Sequence, residues 1–327
     1  MKYLITGGAG SLGRALVRRL TSEGSDEHEI VVYSRDEGKH AKHYASNQRV
    51  KCYIGDVRDI ERLDFVFAVE KPDYVIHAAA LKRIDDAENN PTECWKTNVV
   101  GSENVCRVAI KHETRRCILI STDKACLPAN VYGASKFTAE RIFSHYASCA
   151  TKTKFASARY GNVIASRGSF IPSWREMLRG GKRITITHPE CSRYLFTLND
   201  AVGFILNCLY YNSGFGEVFV PYLKPYNIVD VLNCLVAMEG IERFEVEDVG
   251  IRPGEKLHED MLAITELPNS YSFKFGDDSE AVCIVPSQSK YRYKNLYKGS
   301  PMNTSLNISK DMDELTELIK RGLSETN

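Results

Sequence analysis

An α/β chain built on a doubly wound parallel sheet is what this sequence predicts, and three observations predict it. Short apolar runs alternate with stretches of helical spacing through the first half, the pattern of strands that cross over through helices. A glycine-rich turn stands directly between the first apolar run, Lys2-Tyr-Leu-Ile-Thr6, and the first helical stretch, Arg14-Ala-Leu-Val-Arg-Arg-Leu20. Tyr132-Gly-Ala-Ser-Lys136 sets two polar side chains one helical turn apart, on one face, shortly after Thr122-Asp123-Lys124.

Strand, glycine turn and helix in that order are the context a dinucleotide-binding turn requires. Gly7 permits the tight turn, Gly10 lets the backbone approach a pyrophosphate, and Gly13 lets the helix pack closely on the strand. The helix N-terminus then faces the phosphates. The second strand is Glu29-Ile-Val-Val-Tyr33. An NAD site usually ends this strand with a carboxylate on the ribose; here Ser34 and Arg35 follow, and both can hold a 2′-phosphate, which points to NADP. Val50-Lys-Cys-Tyr-Ile54 is the third strand. After it, Asp56 is placed to accept from the adenine amine, Val57 to pack on the ring, and Asp59 to cap the helix from Ile60. Asp73-Tyr-Val-Ile-His77 is the fourth strand, and the small side chains of Ala78, Ala79 and Ala80 leave room for a cofactor to pass, with Lys82 just beyond. Arg116-Cys-Ile-Leu-Ile120 is the fifth and delivers Thr122-Asp123-Lys124 to the same edge. Phe155-Ala-Ser-Ala-Arg159 reads as the sixth.

Further on, Asn199-Asp200 reads as the N-cap of a helix Ala201 to Tyr210, and Glu217-Val-Phe-Val220 as a strand that rejoins the first sheet. A capped terminal helix is expected over Ser309 to Ile319, while Ser270 to Lys298 reads as a peripheral ribbon or an assembly surface. The division expected is a cofactor domain over 1–165 with 196–225 returning to it, and a substrate part over 166–195 and 226–327.

Composition excludes several classes. The chain of 327 residues has 43 Lys plus Arg against 42 Asp plus Glu, a net charge of +1, so no global field draws it to nucleic acid or a membrane surface. No run approaches the roughly 18 to 20 apolar residues of a membrane span, and the first strand begins at the second residue, so no leader is expected. The ten cysteines are scattered without Cys-x-x-Cys or metal-ligand spacing, which reads as reduced thiols in a cytoplasmic protein, with no metal; Cys126 reads as a packing residue.

The chemistry lies in the polar constellation. An ammonium beside a phenol favours the phenolate, so Lys136 next to Tyr132 makes a base for a sugar hydroxyl. Oxidation needs only that pair. Asp123 and Lys124 add an acid and a second base, which points to a further step such as loss of water. The positive charge of Lys136 and of an oxidised nicotinamide is expected to favour a neutral Lys124. Arg193 and Arg252 can bind a diphosphate.

These residues resemble those of the extended short-chain dehydrogenase/reductases, and within them the inverting UDP-N-acetylglucosamine 4,6-dehydratases of bacterial polysaccharide pathways. The motifs that carry this are Thr6-Gly-Gly-Ala-Gly-Ser-Leu-Gly13, Tyr33-Ser-Arg-Asp-Glu37, Ala78-Ala-Ala-Leu-Lys82, Asn89-Asn-Pro91, Lys96-Thr-Asn-Val99 and Ser121-Thr-Asp-Lys-Ala125. They continue with Arg159-Tyr-Gly-Asn-Val163, Ser166-Arg-Gly-Ser169, Ile186-Thr-His-Pro189, Arg193-Tyr194 and Gly250-Ile-Arg-Pro-Gly-Glu-Lys-Leu-His-Glu259. Residues 1 to about 262 are covered; little is recognised after them. The resemblance implies a Rossmann-type sheet with a smaller interleaved C-terminal substrate-binding domain. It implies Asp123, Lys124, Tyr132 and Lys136 as catalytic residues. It adds Ser11, Leu12, Lys39, Lys82, Val163 and Arg167 to the NADP contacts, and it implies Lys82, Thr122, Asn162, Arg193, Arg252 and Glu255 as contacts to UDP-N-acetylglucosamine. It further implies a homo-oligomer, dimer or hexamer. Related glucose 4,6-dehydratases carry Thr-Asp-Glu where this chain has Thr-Asp-Lys, and related 4-epimerases lack the Asp-Lys pair. A retaining dehydratase or 4-epimerase, and a non-catalytic NADP-binding regulator, are the competing readings.

Overall fold

The computed structural model describes residues 1–23, 28–164, 166, 168–287, 289 and 292–325. Strands β1 (Lys2–Thr6), β2 (Glu29–Ser34), β3 (Val50–Ile54), β4 (Tyr74–His77), β5 (Arg116–Ile120) and β6 (Lys154–Ala158) form within a residue of where the apolar runs put them. After them come β7 (Asn162–Val163), β8 (Ile184–Ile186), β9 (Ser192–Phe196), β10 (Glu217–Pro221), β11 (Pro225–Asn227) and β12 (Val246–Asp248). The last four are β13 (Asp260–Leu262), β14 (Ser270–Lys274), β15 (Glu280–Ile284) and β16 (Met302–Asn303).

Nine of these strands form one sheet in the order β14-β15-β10-β6-β5-β4-β1-β2-β3. From β10 to β3 every pair is parallel; β15 and β14 add on antiparallel. Alternation along β1 shows why the sheet is covered on both faces: Tyr3 and Ile5 enter one buried cluster and Leu4 the other. The helices Ser11–Glu23 and Leu198–Tyr211 pack on the first face, Ile60–Glu70, Gly101–Lys111 and Val131–Cys149 on the second. Sheet order reverses on either side of β1, with β2 and β4 as its neighbours, so a crevice opens beyond the C-terminal ends of β1 and β4.

A second core lies beside the sheet. The helix Phe170–Arg179 places Ile171, Trp174 and Leu178 on one stripe, which packs with Ile184, Leu195, Leu232 of the helix Ile228–Glu239, and Leu315 and Ile319 of the helix Met312–Ser324. The three-stranded sheet β11-β9-β7 joins this lobe to the first.

Three sequence expectations are corrected. The segment after Ser270 is no peripheral ribbon: β14 and β15 extend the main sheet, with Cys283 and Ala281 fully buried against Phe219 and Pro221 of β10. Alternating Tyr271, Phe273 and Phe275 supply the apolar face that joins the core, a pattern hidden in the sequence by the surrounding Lys, Asp and Ser. The helix expected from Ala201 starts at Leu198, because the Thr197 hydroxyl, and not Asn199, accepts from Asp200 N at 3.1 Å. The terminal helix starts at Met312, capped by Asp311 accepting from Glu314 N at 2.9 Å, and not at Ser309. Asp59 caps its helix as expected, accepting from Arg62 N at 2.9 Å.

Candidate active site

The glycine turn is built for a close approach. Gly7 has φ +69°, a conformation that side chains other than glycine's strain to adopt, and a Cβ there would collide with the backbone of Ala78 and Ala79. Gly13 lies against the Gly8 backbone, so the helix from Ser11 sits hard on the strand. Ala79 N donates to the Thr6 hydroxyl at 3.2 Å, which ties the β1 and β4 ends together. Ala78, Ala79 and Ala80 are half-buried along the crevice, as are Ser11, Leu12 and Val163. At Gly10 the space where a Cβ would point meets only the Gly7 carbonyl, at 3.2 Å. Helix N-terminus, bare backbone and small side chains thus form a cradle that suits a pyrophosphate.

At the far end of the crevice the Ser34 hydroxyl meets His40 Nε2 at 2.5 Å, Lys39 pairs with Asp36, and the exposed Arg35 lies 3.6 Å from Asp56. The Asp56 carboxylate accepts from Arg58 N at 3.0 Å, Nε at 2.9 Å and Nη2 at 2.6 Å. Val57 is buried against Gly101 in the second cluster, and Asn104 holds its carbonyl at 2.9 Å. Local pairing thus fixes both at this end of the crevice.

The constellation of Asp123, Lys124, Tyr132 and Lys136 is fixed from two sides. Beyond β5, Ser121 N donates to Ala158 O at 2.7 Å and Asp123 N to Tyr160 O at 2.9 Å, so the chain follows β6 into the site. The helix Val131–Cys149 begins at Asn130, whose side chain accepts from Gly133 N and donates to Gly254 O, both at 2.7 Å. Gly133 is required there because a Cβ would collide with the Lys124 carbonyl oxygen. Asn98 pins the remaining side: it bonds Leu81 N and O at 2.8 and 2.9 Å and donates to Ser135 Oγ at 2.9 Å, from a π-turn over Lys96–Val100.

Within this frame the Thr122 hydroxyl donates to Asp123 Oδ1 at 2.9 Å, and Tyr132 stands close enough that Lys124, Thr122 and Asp123 all act on its phenol. Lys124 Nζ lies 3.1 Å from Asp123 Oδ1 and 3.1 Å from Glu259 Oε1. Arg193, nearly fully buried, comes within 4.0 Å of Glu259, donates to Glu255 at 2.8 Å, and donates to the carbonyls of Ser192 and Leu257 at 2.8 and 3.0 Å. Thr187 donates to the same Glu255 oxygen at 3.1 Å. Four buried acceptors in this region have no donor: Asp123 Oδ2, Asn162 Oδ1, Glu255 Oε2 and Glu259 Oε2. Unpaired buried acceptors are costly, and sugar hydroxyls and amides are donors that would satisfy them.

Charge states follow from these neighbours. Burial presses Lys124 down, but the Asp123 and Glu259 carboxylates outweigh it and hold the ammonium well above the ordinary lysine range. The neutral Lys124 expected from sequence is therefore corrected: two carboxylates, one of them 135 residues away, could not be placed beside it by sequence spacing. Burial also lifts Tyr132 to about 12, opposed by the Lys124 charge and the Thr122 hydrogen bond. Burial lowers Lys136 to about 8, partly offset by Glu140 one turn on. In the protein alone the phenol is thus raised, not lowered.

Of the other expected contacts, Lys82 is exposed beside the crevice, and Arg252, also exposed, lies 3.6 Å from Asp85 just beyond it. The Arg252–Glu255 loop and the Lys82 loop therefore meet across the site. Arg193 bonds Glu255 and the carbonyls of Ser192 and Leu257 within the protein. Arg167 lies outside the described residues. Cys126 is buried, with its thiol 3.6 Å from Glu266. Sequence reasoning assigned no role to Glu259 or Asn98, although both stand in motifs that carried the resemblance. Among the described residues no cluster of His, Cys, Asp and Glu could hold a metal, and no helix is long and apolar enough to cross a membrane.

The sequence profile of the family described as polysaccharide biosynthesis protein matches residues 3–275, and the chain belongs to that family. Its fold and motifs are those of an extended short-chain dehydrogenase/reductase. More particularly, it is similar to the inverting UDP-N-acetylglucosamine 4,6-dehydratase of Campylobacter jejuni, with 36% identity over 315 residues, 94% of this chain and 92% of that one. It is also similar to the UDP-glucose 4-epimerase of Rickettsia massiliae, 38% identical over 270 residues, 81% of this chain and 78% of the other. Among solved structures, Pen from Bacillus thuringiensis superposes with a TM-score of 0.87 and 28% identity, covering 98% of both chains.

Proposed function

We propose that the protein is a UDP-N-acetylglucosamine 4,6-dehydratase that inverts C5, giving a UDP-2-acetamido-2,6-dideoxy-4-keto-hexose of L-arabino configuration. One observation carries the reading: Asp123 and Lys124 stand beside Tyr132 in a single buried site. The glycine cradle and the exposed Arg35 fit NADP, whose nicotinamide takes a hydride from C4 and gives it back at C6, so that no external reductant is consumed.

Tyr132 takes the proton of the 4-hydroxyl as C4 is oxidised, with Lys136 supporting the phenolate. The 4-ketone acidifies the C5 proton, and Lys124 removes it as the neutral amine. Asp123, protonated, gives its proton to the 6-hydroxyl, which leaves as water. The Thr122 hydroxyl, which donates to Asp123 Oδ1 and stands beside Tyr132, offers the path by which the proton taken from O4 reaches Asp123. A proton then returns to C5 on the opposite face. The four orphan acceptors bind hydroxyl and amide donors of the sugar.

The likeness to a 4-epimerase favours a second reading, in which the sugar keeps its 6-hydroxyl and only C4 inverts. Mass spectrometry of the product after incubation with UDP-N-acetylglucosamine separates the two: loss of one water supports the dehydratase, and an unchanged mass with an altered hexose overturns it.

A further inference from the structure

Lys124 has two carboxylates to share one proton with, and the reaction uses up only one of them. Its Nζ is equally distant, at 3.1 Å, from Asp123 Oδ1 and Glu259 Oε1. Both carboxylates are almost fully buried, and each leaves its second oxygen without a donor. The charged and titratable groups that face Lys124 are Asp123 on its own turn, Glu259 on the loop before β13, Arg193 on β9 and Tyr132 on the helix across it.

The side chain of Glu259 has no evident structural task. Its loop is secured by backbone: Glu259 N donates to Thr304 Oγ1 and Thr304 N donates to Glu259 O, both at 2.8 Å. Thr304 is itself buried and bonded to Ser192. The carboxylate projects from this fixed point to Lys124, with Arg193 at 4.0 Å as its nearest other cation. A buried carboxylate half-satisfied by one lysine costs stability unless it serves something else.

The chemistry supplies that use. Resting Lys124 is an ammonium, yet it must be a neutral amine to remove the C5 proton. Asp123 cannot relieve it, because by then Asp123 carries the proton that came from O4. We propose, on the dehydratase reading above, that Glu259 is the proton partner of Lys124: its carboxylate takes the ammonium proton, which frees the amine as base, and releases it when the cycle closes.

The protons balance with one taken from solvent and one returned to it. One N–H bond breaks on Lys124 and one O–H bond forms on Glu259, so both charges vanish. In the elimination the C5 proton passes to Lys124, and the C5–H electron pair forms the C5–C6 double bond. The C6–O bond breaks, and the oxygen leaves as water with the Asp123 proton. Once C6 has received its hydride, a solvent proton adds to C5 on the face opposite Lys124, and Glu259 gives its own proton up to solvent. The site is back to one ammonium between two carboxylates. Glu259 acts through Lys124 and is a positioning residue.

The test uses the isosteric Glu259→Gln and the shorter Glu259→Asp in the full chain carrying its dinucleotide. Deuterium uptake at C5 of UDP-N-acetylglucosamine is followed from pH 6 to 10, beside the absorbance of reduced cofactor. Glu259→Gln should still oxidise C4. Its C5 exchange at pH 7 should fall by about 10² or more, the scale of a lost proton-transfer group. That rate should climb about tenfold per pH unit as Lys124 sheds its proton to solvent instead, whereas the wild-type rate stays level. Glu259→Asp should recover part of the neutral-pH rate. Wild-type exchange in Glu259→Gln at pH 7, or a slow rate that does not rise with pH, would overturn the proposal. Competitive trace labelling of Lys124 with acetic anhydride needs no sugar. Lys124 should become reactive at lower pH in Glu259→Gln, and unchanged reactivity would overturn the pairing by itself. A wild-type protein that neither oxidises C4 nor exchanges C5 overturns the dehydratase reading, a result the labelling does not share.

Discussion

Two buried charge networks stand a few residues apart in this protein and differ in one respect. Around Arg159 everything is satisfied. Its guanidinium donates from Nε and Nη2 to both oxygens of Glu140, from Nη1 and Nη2 to both oxygens of Glu266, and from Nη1 to Met261 O. Ser121 adds a bond to Glu140 at 2.5 Å and Ala263 N one to Glu266 at 3.0 Å. All five N–H groups are used and no oxygen is orphaned. Around Lys124 the arrangement is open, with Asp123, Glu255 and Glu259 each keeping one oxygen unpaired. A closed network holds the fold, here by clamping the helix Val131–Cys149, β6 and the segment after β13 together. An open one stores unmet acceptors for a ligand and protons for a reaction.

That contrast can be broken by substitutions. The largest effect expected is on catalysis at the open network: Tyr132→Phe should abolish every partial reaction, C5 exchange included, with a loss of at least the 10²- to 10⁴-fold of one acid–base group, read by turnover at an unchanged melting temperature. Next, Arg159→Met should strand two buried carboxylates and cost about 3–5 kcal/mol of stability, measured by urea unfolding. A smaller cost would mean that the closed network is no clamp. Asp123→Asn removes one buried carboxylate with an orphaned oxygen, so it should leave stability unchanged or higher while the enzyme oxidises C4 and stalls with reduced cofactor visible by absorbance. At the edge of the crevice, Arg35→Ala should weaken NADP by about 1.5–3 kcal/mol and leave NAD unaffected, in titrations of the stripped protein.

The smallest effect separates a third, neutral network. His77 is fully buried between the Thr6 and Ser102 hydroxyls, and burial, with the Lys136 charge adding to it, presses its pKa from 6.5 to about 3. Between those values the unfolded chain binds a proton and the folded one does not. Its contribution is therefore complete above pH 6.5 and is lost as pH falls toward 3, amounting to about 2 kcal/mol at pH 5. His77→Asn should remove that part of the acid sensitivity between pH 7 and 5; an unchanged difference would contradict the assignment.

The strands through β6 were legible because parallel, doubly covered strands are short unbroken apolar runs, and the glycine turn marks where they begin. The Tyr132–Lys136 and Asp123–Lys124 pairs were legible because local spacing fixes them. What escaped the sequence depends on long-range closure. Glu259 meets Lys124 only through the fold, so the charge state of Lys124 was misjudged. The bonds of Arg193 to Glu255 and two carbonyls likewise come from distant parts of the chain and adjacent backbone that spacing does not show. β14 and β15 were missed because half their residues face solvent and dilute the apolar signal. The helix caps shifted by two residues because Thr197 and Asp311 competed successfully with neighbours of equal propensity.

The most direct measurement is to incubate the purified protein with UDP-N-acetylglucosamine in deuterated water and follow the sugar by NMR. The dehydratase account predicts loss of the C6 hydroxymethyl signals, a new C6 methyl group, a 4-ketone or its hydrate, deuterium at C5, and couplings of the L-arabino configuration. A hexose that keeps its hydroxymethyl group and merely inverts C4, or a substrate recovered unchanged without deuterium, would contradict it.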